Sequence, residues 1–194
     1  MLAIYACLSY IALVMYWLKK FFKNPRGIGS IAPSSKQLAR LMTRNIPPNA
    51  SVLELGAGSG SITACILKNL TKPALLTSVE ADTELFGICQ KKFPGINLLN
   101  QDIQETLNQE ISFDFIISGI PFAAMDQNNR RQIFHLIRER LVPGGSFIMF
   151  QYSTLTRNEL RAIFGNLKTD FTPWNLPPAF VFTCKKTLGG TATN

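Results

Sequence analysis

Val52-Leu53-Glu54-Leu55-Gly56-Ala57-Gly58-Ser59-Gly60 passes from an apolar run into three glycines at alternate positions, and Ile62, Cys65, Ile66 and Leu70 then follow at helical spacing. The pattern reads as a buried strand, a glycine loop and a helix. Glycine suits such a loop because the missing Cβ permits positive φ and lets a ligand lie directly on the main chain. The spacing is G-x-G-x-G rather than the G-x-G-x-x-G of pyrophosphate-binding loops, and Glu54 just ahead of it would repel a pyrophosphate. A cationic ligand fits better. Taken alone, the same glycines read equally as a plain tight turn.

Outward from this loop, Leu75 to Glu80 reads as a second buried strand, ending in an acid 20 residues beyond Gly60. That is the separation at which a Rossmann-like βαβ unit sets a carboxylate on ribose hydroxyls. Asp82 or Thr83 caps a helix running to about Lys92, and Phe93-Pro94-Gly95 ends it. Ile96 to Leu99 is a short third strand followed by Asp102, which can accept from an adenine amino group or cap a helix over 103–109. Phe113 to Ile117 is a fourth strand leading into Ser118-Gly119-Ile120-Pro121-Phe122. In a doubly wound sheet that strand ends across the switch point from the glycine loop, so this segment is expected to face the ligand. The alternative is a Gly-Pro turn with Phe122 in the core.

A helix is expected over Asn128 to Leu141, with two Arg pairs on its exposed side and a stop at Pro143-Gly144-Gly145. The single histidine, His135, reads as a structural residue within it. Ser146 to Tyr152 is strand five. The remainder reads as a helix over Arg157 to Phe164, a strand near Phe171 to Trp174, a turn at Asn175-Leu176-Pro177-Pro178 and a last strand Phe180 to Cys184. A closing pair of strands joined by a tight turn suits the antiparallel end of such a sheet.

With 194 residues the chain holds one domain with a real core plus an appendage. Cys7, Cys65, Cys89 and Cys184 form no C-x-x-C pair and have no histidine nearby, which argues against a disulfide framework and a zinc site. The net charge of +8 is localised. Residues 1–53 contain no Asp or Glu but carry Lys19, Lys20, Lys23, Arg26, Lys36, Arg40 and Arg44, while the remaining 13 basic and 12 acidic residues nearly cancel. A basic run of this kind serves a solvated face, a nucleic acid or an anionic surface.

Its neighbour favours the last of these. Leu2 to Leu18, LAIYACLSYIALVMYWL, is continuously lipophilic, with Tyr16 and Trp17 beside Lys19 and Lys20 as an interfacial belt. The run is long enough to embed deeply or to span with snorkelling lysines and Phe21-Phe22. Cations on its C-terminal side put the following domain in the cytoplasm. A cleaved signal peptide is disfavoured by the absence of a basic start and of a small-residue cleavage site. Ser34 or Ser35 can cap a helix through about Thr43, with Leu38, Leu41 and Met42 on one face and Lys36, Arg40 and Arg44 elsewhere. Such a helix can cross the sheet, touch anionic headgroups, or do both.

The E-x-G-x-G-x-G pattern resembles motif I of the class I S-adenosylmethionine (SAM) methyltransferases, and the chain from about residue 21 to 184 resembles the bacterial phospholipid N-methyltransferases. Asn24-Pro25 with Gly29-Ser30, Pro33-Ser34-Ser35, Ser118-Gly119-Ile120-Pro121, Tyr152 and Asn175-Leu176-Pro177-Pro178-Ala179 carry that resemblance in the same order. It implies an α/β Rossmann-like fold with a seven-stranded, mostly parallel sheet and an antiparallel last strand. Together with the lipophilic start, which reads more as an anchor than as the amphipathic first helix usual in that family, this divides the chain into an anchor (1–22), a basic linker and amphipathic helix (23–48), the methyltransferase domain (49–186) and a disordered tail (187–194). SAM would be held by Glu54, Gly56, Gly58, Gly60, Glu80, Asp102 and Ile103. Ser118, Gly119, Pro121, Phe122 and Tyr152 would surround the acceptor, with Phe122 facing the developing cation, and no metal is implied. The implied reaction is N-methylation of phosphatidylethanolamine toward phosphatidylcholine at the inner membrane, with no nucleic-acid partner. Two alternatives stand beside it: an rRNA adenine dimethyltransferase, whose base-orienting Asn position is here Gly119, and a membrane-tethered SAM-binding protein without turnover.

Overall fold

The structure, a computed structural model, describes residues 35–175 and 177–187. The lipophilic run at 2–18, the linker motifs up to Ser34, Leu176 and the tail from residue 188 lie outside the described residues. Among the described residues no helix is long and apolar enough to cross a membrane.

Helix α1 (Lys36–Thr43) leads into β1 (Val52–Leu55), α2 (Ser61–Leu67), β2 (Leu76–Val79), α3 (Thr83–Lys92), β3 (Asn97–Leu99), α4 (Ile103–Leu107) and β4 (Phe113–Ser118). Then come α5 (Gln127–Glu139), β5 (Leu141–Gln151), α6 (Arg157–Phe164), β6 (Asn166–Thr172) and β7 (Ala179–Lys185). The seven strands lie in the order β3-β2-β1-β4-β5-β7-β6. The first five pair in parallel, and β7 slots between β5 and β6, antiparallel to both. The C-terminal ends of β1 and β4 are therefore adjacent, with Leu55 opposite Ser118. Loops leaving these two strands must share one edge of the sheet.

The central strands are buried on both faces, as parallel strands sandwiched by helices require. Phe147 and Met149 of β5 join a core with Leu53, Leu55, Phe122, Phe134, Phe164 and Phe182. Ile148 and Phe150, one residue out of phase, join the opposite core with Leu38, Met42, Val52, Ile62, Ile66 and Val181. Helix α1 belongs to that second core. Ser35 caps it by accepting from the Leu38 amide at 3.1 Å, and Leu38, Ala39 and Met42 are buried beneath it. Asp82, Asp102 and Asp126 cap α3, α4 and α5 in the same way.

Two strand boundaries differ from the expectation. Strand β5 begins at Leu141 rather than Ser146, because the Pro143-Gly144-Gly145 segment does not end the pairing. The β4–β5 register shifts between Phe113 and Phe115, and Gly144 and Gly145 exchange backbone bonds with Lys186. A Cβ on Gly145 would lie 2.9 Å from the Val142 carbonyl oxygen and 3.0 Å from that of Asp114, so glycine is what lets the irregular strand close. Strand β6 runs over 166–172 rather than near 171–174. It follows directly on the positive-φ Gly165 that ends α6, and as an edge strand with one neighbour it carries a partly exposed, mostly polar pattern.

Candidate active site

The glycine loop folds back over the end of β2. The amides of Gly56 and Ala57 both donate to the Val79 carbonyl, at 2.9 and 3.0 Å, and Gly58 N–H donates to Glu80 Oε2 at 2.7 Å. Glu80 Oε1 accepts from the Asp82 amide at 3.0 Å, so this carboxylate joins the loop to the start of α3. Lys92 Nζ donates to the Ser59 carbonyl at 3.1 Å and Cys89 Sγ to that of Gly58 at 3.3 Å. Gly60, at φ +77°, begins α2, and a Cβ there would sit 2.3 Å from the Phe93 ring. Gly60→Ala is therefore expected to cost roughly 1–2 kcal/mol for the left-handed backbone, plus the displacement of Phe93. Thermal melts of Gly60→Ala, Phe93→Ala and the double variant check this: the double should lose less than the two singles combined.

Glu54 lies on β1 behind the loop and is fully buried. Its Oε2 accepts from Thr63 Oγ1 and from Ser78 Oγ, both at 2.7 Å, while Oε1 is buried with no hydrogen-bond partner. Burial pushes this carboxyl up to about 7; the two hydroxyls pull it down and the neighbouring Glu80 charge adds to the rise. A buried acceptor oxygen left without a partner beside a glycine loop is the complement of a cationic donor. Nothing lies within 4 Å of where a Gly58 Cβ would be, so the loop has space for a ligand against its main chain. A ligand carrying an ammonium and a ribose therefore fits the residues present.

Across the β1–β4 junction, the loop after β4 is held from within and from below. Ser118 Oγ donates to the Leu55 carbonyl at 3.2 Å and accepts from the Ile120 amide at 3.1 Å, which makes this hydroxyl a loop brace. Gln151, 2% exposed, donates through Nε2 to the Ile120 carbonyl at 2.8 Å and accepts at Oε1 from the Ala123 amide at 3.1 Å. A Cβ on Gly119 would meet Ile62 Cδ1 at 3.3 Å and Phe150 Cε1 at 3.6 Å, and one on Gly56 would meet Ile120 at 3.0 Å. The two loops are thus in near contact. Tyr152, half-buried one residue past β5, packs edge-to-face on Phe150 with centroids 5.5 Å apart.

Two expectations change here. Phe122 does not face a ligand: its ring is fully buried, 5.0 Å from Phe134 and 6.3 Å from Phe147, because the 3-10 turn at Phe122–Ala124 that follows Pro121 turns it into the core. A cation–π role for it is incompatible with that packing. Asp102 is exposed and caps α4 through the Gln104 amide at 2.7 Å, as the helix-cap reading of this residue anticipates, with Ile103 half-buried behind it. Arg130, expected on the outer face of α5, is 6% exposed: Nε meets Glu159 Oε2 at 2.8 Å, and Nη1 donates to the Phe122 and Met125 carbonyls at 3.4 and 3.3 Å. His135 is exposed on the same helix.

Thr63, Ser78, Gln151 and Arg130 do not stand out in the sequence as site residues. A polar residue closing an otherwise apolar strand, as Gln151 does after Phe147-Ile148-Met149-Phe150, is the signal available for one of them. Asn175 adds a further link: its Oδ1 accepts from the Ser35 amide at 3.0 Å and its Nδ2 donates to the Pro177 carbonyl at 2.7 Å, joining two motifs 140 residues apart. Among the described residues no group of three His, Cys, Asp or Glu side chains is arranged to hold a metal. Burial pushes the thiols of Cys89 and Cys184 up to about 11 and about 12, so neither is a ready nucleophile.

A sequence profile described as a methyltransferase domain matches residues 52–145. An ornithine lipid N-methyltransferase from Singulisphaera acidiphila is 31% identical over 182 residues, covering 87% of this chain and 94% of that protein. Among solved structures, the N-methyltransferase NodS from Bradyrhizobium japonicum, in complex with S-adenosylhomocysteine, aligns with TM-score 0.59 at 18% identity over 77% of this chain and 84% of that one. The magnesium protoporphyrin IX methyltransferase of Synechocystis, with SAM bound, gives 0.64 at 12% identity over 78% and 79%. The sheet order, the unpaired carboxylate oxygen buried behind the glycine loop and the near full-length likeness agree: the chain belongs to the class I SAM-dependent methyltransferases.

Proposed function

We propose that the protein methylates the primary amine of a membrane lipid headgroup. The observation that carries this reading is the likeness to an ornithine lipid N-methyltransferase, which covers 87% of the chain and so extends well beyond the methyltransferase domain at 52–145. Ornithine lipid is the acceptor that this likeness favours. Phosphatidylethanolamine, taken stepwise toward phosphatidylcholine, is a second reading, favoured by the Pro33-Ser34-Ser35, Ser118-Gly119-Ile120-Pro121 and Asn175-Leu176-Pro177-Pro178-Ala179 segments. Either acceptor presents an amine at a lipid surface. The lipophilic residues 1–22 would anchor the protein to the inner membrane with its domain on the cytoplasmic side, and the basic residues that follow would meet anionic headgroups.

Bound SAM supplies an electrophilic methyl group on a sulfonium. In this reading Glu54 Oε1 receives the ammonium of its amino-acid part and Glu80 the ribose hydroxyls, with the Gly58 main chain beneath. The acceptor has a lone pair only as the neutral amine, so positioning and exclusion of water carry much of the rate. Gln151 and Ser118 fix the Gly119–Ile120 wall by their hydrogen bonds, and Tyr152 is assigned the hydrogen bond to the headgroup.

Detergent-purified protein given labelled SAM and, separately, vesicles of ornithine lipid, phosphatidylethanolamine or phosphatidylglycerol, or naked rRNA, is expected to label one or both amino lipids. Label in RNA, or SAM binding with no label in any acceptor, overturns the proposal. Tyr152→Phe is expected to lower kcat/KM for the lipid roughly tenfold, the worth of one hydrogen bond in a partly buried site, while S-adenosylhomocysteine affinity stays at the wild-type value by calorimetry.

A further inference from the structure

Five large apolar side chains are exposed among the described residues, and three of them gather in one part of the fold: Leu155 at 63%, Phe171 at 56% and Trp174 at 77%. Leu155 lies in the loop that leaves the C-terminal end of β5. Phe171 is near the C-terminal end of β6, and Trp174 is two residues beyond that strand. Because β6 is antiparallel to β7, which is antiparallel to β5, all three sit at the edge of the sheet that also carries the glycine loop and the Ser118–Pro121 loop. Phe171 continues inward through Phe180, its ring 5.2 Å away, so the exposed ring is braced by the sheet. Ile88 and Ile111, the other two, stand singly elsewhere.

The chain outside the described residues argues that the occupant of this patch is lipid. Residues 1–34 enter the fold at Ser35, whose amide is bonded to Asn175, the residue next to Trp174. The segment from Lys19 to Ser34 can extend at most about 58 Å, so an embedded 2–18 run would keep the domain near the bilayer by a tether attached beside Trp174. Attachment at this edge favours presenting it, rather than the far side of the domain, to the lipid. Lys36 and Arg157, exposed at the starts of α1 and α6, lie at the same edge and add cations suited to anionic headgroups. Tryptophan, phenylalanine and leucine exposed at the same edge as cations are the side chains that favour a membrane interface.

We propose that Leu155, Phe171 and Trp174 form a membrane-docking surface, distinct from the N-terminal anchor, that lays the active-site edge of the sheet on the lipid so that an amine reaches the Ser118–Pro121 loop without leaving the bilayer. This rests on the membrane attachment under the proposed function, but not on which molecule is methylated.

The test uses the full chain with Trp17→Phe, which leaves Trp174 as its one tryptophan, reconstituted into vesicles of phosphatidylethanolamine and phosphatidylglycerol. Lipids brominated near the headgroup should quench Trp174 strongly and lipids brominated near the chain ends less. Adding Leu155→Asp and Phe171→Asp should remove most of the quenching while S-adenosylhomocysteine affinity stays unchanged. A Trp174 that is unquenched and open to acrylamide, in protein that floats with the vesicles, overturns the proposal. So does a Trp174 that is shielded from acrylamide yet unquenched by brominated lipid, since a protein segment such as residues 1–34 or a second copy then covers the patch. Quenching without methylation of any lipid supports the docking surface and removes only the substrate reading.

Discussion

Glu54→Gln is expected to weaken S-adenosylhomocysteine binding by about 100-fold or more, as for losing a charge-assisted hydrogen bond in a buried site, while making the unliganded protein more stable at pH 8. The carboxyl is fully buried and raised from 4.5 to about 7. A folded-state value above the unfolded one means that the folded protein holds the proton more tightly. Stability therefore falls as pH rises from the unfolded value through about 7, and the whole penalty is in force above that. For a shift of this size the penalty is on the order of 3 kcal/mol. Glutamine carries no such charge and keeps an acceptor for Thr63 and Ser78, but points an N–H₂ where the ligand's ammonium would approach. Thermal melts should show Glu54→Gln several degrees above wild type at pH 8 and level with it near pH 5. In wild type, affinity should fall about tenfold per pH unit below 7, because the carboxyl must first release its proton; the variant should lack that slope. A destabilised variant at pH 8, or one that binds normally, would show that Glu54 is not the cationic anchor.

The same residue shows what a sequence displays and what it withholds. Glu54, the three glycines and Glu80 stand out because they are contiguous or spaced by one βαβ unit, and local chain geometry fixes their relation. The groups that tune them are set by topology instead. Ser78 reaches Glu54 from 24 residues away and Gln151 reaches Ile120 from 31, through strand neighbours that no local pattern reveals. Phe122 illustrates the reverse failure. An aromatic after Gly-Ile-Pro reads alike whether it lines a site or fills a core, and one 3-10 turn settles it inward. Most strands announce themselves as apolar runs bounded by Gly, Pro or Asn. Strand β6 does not, since an edge strand half in water need not be apolar, and the start of β5 is hidden by glycines that look like a turn until Lys186 pairs with them. Arginine is read as solvated by default, which conceals Arg130.

Arg130→Met is expected to destabilise the protein by about 3–5 kcal/mol, the usual result of removing one partner of a buried pair, and to slow turnover by a separate route. The guanidinium, with its side chain 7% exposed, is the junction of three elements: Glu159 at the start of α6, its own helix α5, and the turn after the Ser118–Pro121 loop through the Phe122 and Met125 carbonyls. Methionine fills much of the volume but leaves the Glu159 carboxylate, 13% exposed, without its cation, and both carbonyls without this donor. The double variant Arg130→Met/Glu159→Met separates the two consequences. Replacing both ions by apolar groups is close to neutral when a pair is already costly to desolvate, so the melting temperature should return most of the way to wild type. The carbonyls would still lack the guanidinium, and the loop they follow would be held by Gln151 and Ser118 alone. The double variant should therefore bind S-adenosylhomocysteine normally yet keep a kcat reduced by about tenfold or more, as displacements of even 1 Å at a reacting centre produce. If stability and kcat recover together, Arg130 serves the fold only; if stability stays low in the double variant, the ion pair is not what the single variant loses.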